Sequence, residues 1–201
     1  MTELNKVIQL NNGGLFLFPP DVWKFKYDFN FEELKPKIDH LFSVVERNSE
    51  LEAGDALSTV ALDESIQPHS WAELAHFQNW LGEKIALIRR ENAFNYTRSE
   101  VVRSWFNRHG FGGETIEHNH NQATFVVTCY IQLPSNSGFI EFKDPLEYHK
   151  TLYPIIPEES SYKAVPCETN DVLIFPGYMR HRVQKNNNST DERIVLTFNI
   201  K

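Results

Sequence analysis

A chain of 201 residues can bury one sizeable core and is too short for two generous ones. Its 20 basic and 27 acidic side chains, net −7, argue against a general nucleic-acid surface, and two cysteines, Cys129 and Cys167, give no disulfide framework. No apolar run approaches membrane-spanning length, and no basic segment leads into an apolar one at the N-terminus, so a cytoplasmic protein without a secretory signal is expected.

Residues 1–31 read as strands and loops, with strands over 6–10 and 15–18 on either side of an Asn-Asn-Gly-Gly turn. A helix then starts behind Asn30, a good N-cap, with Glu32 and Glu33 in its first turn. Leu34, Ile38, Leu41, Phe42 and Val45 recur along it at helical spacing. Residues 47–70 are polar and irregular. A second helix is expected from Ser70, with Glu73 three residues on and an apolar stripe of Leu74, Phe77, Trp80, Leu81, Ile85 and Ile88. Both stripes read as packing surfaces for a sheet.

From about residue 97 the pattern changes to short strands punctuated by turns: 101–107, 114–118, 123–133, 138–143, 162–165, 171–175, 182–185 and 192–200. Strands at this spacing, with 15 phenylalanines to fill a core, predict a mainly β fold. The expected architecture is a double-stranded β-helix, a jelly-roll or cupin-like barrel flanked by the helices. One domain over 1–201 follows, with 1–96 as helical support and edge strands and 97–201 as barrel core.

Two strands alternate informatively. One parity of 124–133 is Phe125, Val127, Cys129, Ile131 and Leu133; the other is Thr124, Val126, Thr128, Tyr130 and Gln132. The last strand sets Ile194, Leu196, Phe198 and Ile200 against Arg193, Val195, Thr197 and Asn199. The polar parity belongs to solvent or to a cavity inside the barrel, and the histidines at nearby strand ends favour the cavity.

Those histidines supply the chemistry. In an extended strand, side chains at i and i+2 share a face, so His118 and His120 offer two imidazoles to one metal ion. His181, closing Phe175-Pro176-Gly177-Tyr178-Met179-Arg180-His181, is the third donor. His40, His69, His76, His109 and His149 have no comparable partners and read as structural or exposed. Arg193 opens the final strand with no strand neighbour to neutralise it, which calls for an anion in the cavity.

In this order the parts resemble the Fe(II)/2-oxoglutarate-dependent oxygenases, and in particular a group frequent in bacteria and their phages. The residues that carry the resemblance are Trp105-Phe106-Asn107, His118-Asn119-His120, Thr128-Cys129-Tyr130, Asp144-Pro145, 171–176, His181, and Arg193 through Asn199. The resemblance implies Fe(II) held by His118, His120 and His181, with 2-oxoglutarate and O2 at the open positions. It also implies Arg193 as the clamp on the far carboxylate, with Tyr130, Thr197 and Asn199 lining the co-substrate site. The products would be succinate, CO2 and a hydroxylated small molecule or peptide, in the cytoplasm (the host's, for a phage-encoded chain). One departure matters: His120 stands where the family has Asp or Glu. A three-histidine site is the favoured reading. One histidine of the pair with Gln122 or a water is the second, and a fold retained without catalysis is the third. Competing functions are a three-histidine cupin-type dioxygenase without 2-oxoglutarate and a non-catalytic jelly-roll binding module. Residues 146–161 are the expected substrate-contacting loop.

Overall fold

The computed structural model describes residues 22–90, 99–145 and 161–201 in full, and residues 8, 9, 15, 16 and 91 by their backbone. The expected substrate loop over 146–161 (apart from its last residue, Ser161), His149 and most of the first strand pair lie outside the described residues.

Helix α1 spans Phe31–Ser43, and Asn30 caps it by accepting from the Glu33 amide at 3.4 Å. Its stripe of Leu34, Ile38, Leu41 and Phe42 is buried. Helix α2 spans Ala75–Glu91, later than Ser70 suggested. Tight turns over Pro68–Ser70 and Ala72–Leu74 precede it, and the Ser70 hydroxyl donates to the Gln67 carbonyl instead of capping a helix.

Strands β1 (Ile8–Gln9) and β2 (Leu15–Phe16) pair with each other. The other eleven form two antiparallel sheets. Strands β3 (Trp23–Lys26), β11 (Asp171–Pro176), β8 (Phe125–Gln132), β13 (Arg193–Ile200), β6 (Val101–His109) and β5 (Ala56–Ser58) make the larger, in that order. The smaller runs β10 (Tyr162–Val165), β9 (Ile140–Lys143), β12 (His181–Val183), β7 (Glu114–His118), β4 (Glu52–Ala53). This is the mainly β, double-stranded β-helix arrangement that the strand spacing predicts. The stretch 47–70, unreadable from periodicity, gives each sheet an edge strand.

Alternation divides the core in two. Phe125, Val127, Cys129, Ile131, Ile194, Leu196, Phe198 and Ile200 point outward to meet the stripes of α1 and α2. Val126, Tyr130, Leu173, Phe175 and Val195 point inward, between the sheets, against Ile140 and Phe142. The polar parity of β8 and β13 therefore faces an internal cavity. Among the described residues, no helix is long and apolar enough to cross a membrane.

Phe198 is fully buried and meets Phe77 of α2 at 5.6 Å between ring centroids. Phe198→Ala is expected to destabilise the protein by about 3–5 kcal/mol, read from the urea unfolding midpoint, because the packed sheet cannot close the gap.

Candidate metal centre and its cavity

The antiparallel register of β7 and β12 sets His181 directly opposite His118. Their ring centroids lie 4.3 Å apart. The expected strand bounds of 114–118 hold, so the i, i+2 argument does not apply to His120, which follows the strand. Strand β7 ends at His118, and His120 lies in the loop beyond it. Loop contacts bring it back: its amide donates to the Gly177 carbonyl at 2.8 Å, and its carbonyl accepts from the Ala123 amide at 2.9 Å. Its ring stacks on Trp105 at 5.8 Å and on His181 at 5.3 Å. Gly177 permits this crossing. A β-carbon there would come within 2.1 Å of the Ala123 carbonyl oxygen and 2.7 Å of that of His120. The Phe-Pro-Gly turn thus holds one histidine and leads the chain to another.

The donor atoms of His118, His120 and His181 lie within 4.8 Å of one another. Two of the rings are oriented by backbone carbonyls, His118 Nδ1 on Ile116 at 2.8 Å and His181 Nδ1 on Met179 at 3.0 Å. A nitrogen that faces a carbonyl must carry the proton, which leaves each Nε2 as a lone-pair donor. Burial lowers the pKa of all three rings. His120, with His118 adding to the effect, comes down to about 4, and His181 is well below the ordinary imidazole range. Three neutral imidazoles suit Fe(II) or another late divalent ion. Having no carboxylate among them, they leave the full dication charge for an anionic ligand to offset.

The cavity beside the triad measures about 370 Å³, within the usual range for small-ligand sites. Tyr130, Thr197 and Asn199, named from the sequence, all line it. Gln122, the alternative ligand, lines it too but is exposed. Arg103 Nε and Asn107 Oδ1 are buried in its wall without a hydrogen-bond partner among the described residues. Buried polar atoms left so are costly, and their gathering on one cavity marks a place where a polar ligand completes the bonding.

Arg193 differs from its expectation. It is fully buried and has partners. Nε and Nη2 both meet His109 Nδ1, at 2.9 and 2.5 Å. Nη1 donates to the Ser137 and Gly138 carbonyls, and Nη2 to the Gln184 carbonyl. Because a guanidinium can only donate, His109 Nδ1 must be the acceptor, so the proton sits on Nε2. That nitrogen donates to Glu52 Oε2 at 2.7 Å, and the Thr115 hydroxyl donates to the same oxygen at 3.0 Å. Burial lowers the His109 pKa, the Glu52 bond opposes the shift, and the Arg193 charge adds to it. Burial also brings Arg193 down to about 10. A neutral imidazole therefore bridges a buried cation and a carboxylate whose side chain is 3% exposed. His109 and Glu52 line the cavity, with Arg193 behind them. Sequence reasoning missed both. His109 faces Arg193 only through the β6–β13 register, and Glu52 sits on a two-residue strand.

A family model described as "Putative 2OG-Fe(II) oxygenase" matches residues 103–199. No curated protein matches the sequence. Among solved structures, the chain is similar to a Pseudomonas putida prolyl-4-hydroxylase, with TM-score 0.59, 10% identity, and 90% of this chain and 92% of that one covered. The viral collagen prolyl hydroxylase of Paramecium Bursaria Chlorella virus-1, solved with 2OG, gives TM-score 0.53 at 12% identity over 89% and 94% of the two chains. HygX from Streptomyces hygroscopicus, with nickel and 2-oxoglutarate bound, gives 0.57 at 12% identity over 90% and 82%. At such identities the structural likeness is one of fold.

Two outcomes follow. His181→Ala is expected to weaken Fe(II) binding by more than the roughly 10–100-fold that losing an outer hydrogen-bond partner costs. Metal analysis after desalting reads it, and unchanged iron in a His118→Ala/His181→Ala double variant contradicts the triad. Separately, His109 and His181 are buried with folded pKa values below the unfolded 6.5, so the unfolded chain binds more protons below that pH. Stability of the metal-free protein is therefore complete above about pH 6.5 and falls on acidification, by up to about 1.4 kcal/mol per pH unit for each ring. Urea midpoints between pH 7 and 5 measure the slope; a midpoint that rises on acidification contradicts the neutral assignment.

Proposed function

We propose, from the match of residues 103–199 to the family model described as putative 2OG-Fe(II) oxygenase, a hydroxylase of an unidentified substrate that works through a three-histidine iron centre. The observation that carries this reading is the convergence of three neutral imidazoles on a cavity whose wall holds unpartnered polar atoms.

His118, His120 and His181 would hold the metal, and the carbonyls of Ile116 and Met179 keep two of them in the tautomer that can ligate. Bound Fe(II) and 2-oxoglutarate supply the O2-activating chemistry, in which the co-substrate leaves as succinate and CO2 and one oxygen atom enters the substrate. Trp105 packs on the His120 face and keeps water from that side of the ligand. Tyr130 and Thr197 offer hydroxyls to the co-substrate, and burial holds the Tyr130 phenol protonated as a donor. Arg193 lies behind the inner end of the cavity, separated from it by neutral His109, with Glu52 on the other side of that ring. It meets the far carboxylate directly only if His109 leaves its fork, since all its N–H groups are in use. That occupied fork, like the all-histidine ligand set, favours a three-histidine dioxygenase without a co-substrate.

The proposed location is the cytoplasm, that of the host for a phage-encoded chain; free, buried Cys129 and Cys167 suit a reducing compartment.

The test is anaerobic titration of the Fe(II) protein with 2-oxoglutarate, followed by the metal-to-ligand charge-transfer absorption. One equivalent is expected to saturate it. Arg193→Ala is expected to weaken binding about tenfold or more while iron stays in place, and Arg193→Lys to restore only part of it. An absent band in wild-type protein contradicts the co-substrate, and a band of undiminished affinity in Arg193→Ala contradicts the role given to Arg193.

A further inference from the structure

The inner face of β6 carries Arg103, Trp105, Asn107 and His109 in succession, and the register of β6 on β13 and β8 turns this succession into levels of the cavity. His109 pairs with Arg193 at the inner end. Asn107, Val195 and Tyr130 make the next level, and Trp105, Thr197 and Thr128 the one after. His120 stacks on Trp105, so the metal site adjoins this level. Arg103 pairs with Asn199 one level further out, with exposed Asn121 and Gln122 also lining the cavity. The strand rise puts Arg103 and His109 about 20 Å apart along β6, on opposite sides of the Trp105 level.

The two arginines are treated oppositely by the fold. Arg193 is wrapped in acceptors. Arg103 makes no hydrogen bond or ion pair among the described residues, and its Nε is buried without a partner. Asn199 stands opposite it on the paired strand. A guanidinium in a cavity wall costs desolvation and returns nothing until an anion arrives, and its planar fork matches a carboxylate. A co-substrate drawn to the metal and to the Tyr130 hydroxyl leaves this outer position to the molecule being oxidised.

We infer that Arg103 is the specificity residue of the outer cavity and that the oxygenated substrate carries a carboxylate or similar planar oxyanion which this guanidinium grips. The inference rests on the oxygenase reading for which molecule is gripped, and on the cavity alone for the grip itself. Two sources could bring the carboxylate, the substrate or 2-oxoglutarate in a reversed pose, and the test separates them.

Full-length Fe(II) protein, saturated with 2-oxoglutarate under anaerobic conditions, is titrated with acetate, benzoate and N-acetylalanine, each beside its primary amide. Calorimetry and the charge-transfer band report binding. Wild-type protein is expected to bind one or more of the acids saturably and the matching amides about tenfold more weakly or less. Arg103→Met is expected to lose about tenfold or more of the acid binding, and Arg103→Lys to keep part of it. The same Arg103→Met protein should take 2-oxoglutarate with affinity changed by less than about threefold and should melt no lower than wild type, because the cation removed had no partner to lose. Four results overturn the inference: no saturable acid binding by wild type, equal acid binding by wild type and Arg103→Met, a co-substrate affinity that falls with Arg103, or a melting temperature that drops with it. A wild-type protein that takes no 2-oxoglutarate counts against the proposed function instead, and the acid titrations on the metal-loaded protein then still decide Arg103.

Discussion

The register between β7 and β12 is the constraint on which the site depends. It puts His118 opposite His181, and a one-residue slip would turn one of the two rings to the far face of the sheet. Everything else at the centre is built to hold that pairing and add a third ring. The bulge between His181 and Val183 re-aims β12 beside the site. Gly177 lets the loop after β7 pass close enough to tie His120 down. The Trp105 ring, on the opposite sheet, closes the stack from its other side.

Charge explains the rest of the cavity. The triad is neutral, so it brings no anion of its own to a divalent ion. The fold then isolates its inner cation: Arg193 is buried under a neutral imidazole, with Glu52 beyond it. Buried charges of opposite sign joined through one oriented ring are tolerable where either alone would not be. At the other end Arg103 has no such arrangement. A site with a balanced inner end, a cationic centre once metal is bound, and an unmatched outer cation draws anionic groups to two different levels.

Much of this was legible in the sequence because strand parity is a two-residue code. The alternation of 124–133 and 193–200 separates the face that meets α1 and α2 from the face that lines the cavity, and Tyr130, Thr197 and Asn199 fall on the latter. His181 could be picked because a lone histidine follows Phe-Pro-Gly immediately before the strand expected over 182–185. What parity cannot supply is which residue of another strand stands opposite. His109 read as a bystander because its pairing with Arg193 is a matter of register, and Glu52 because two strand residues in a polar stretch leave no periodic trace. The late start of α2 has a similar cause: Ser70 has the composition of a cap but spends its hydroxyl on a tight turn. Arg103, two residues before Trp105, reads as an ordinary strand residue until its lack of partners is seen.

The central claim of the proposed function is that three imidazoles, with no protein carboxylate, hold the iron. A crystal structure of the anaerobic Fe(II) and 2-oxoglutarate complex tests it most directly. The account predicts Nε2 atoms of His118, His120 and His181 at about 2.0–2.2 Å from the metal, with the remaining positions taken by the co-substrate and a water. A carboxylate oxygen of the chain, or the amide of Gln122, at such a distance in place of His120 would contradict it.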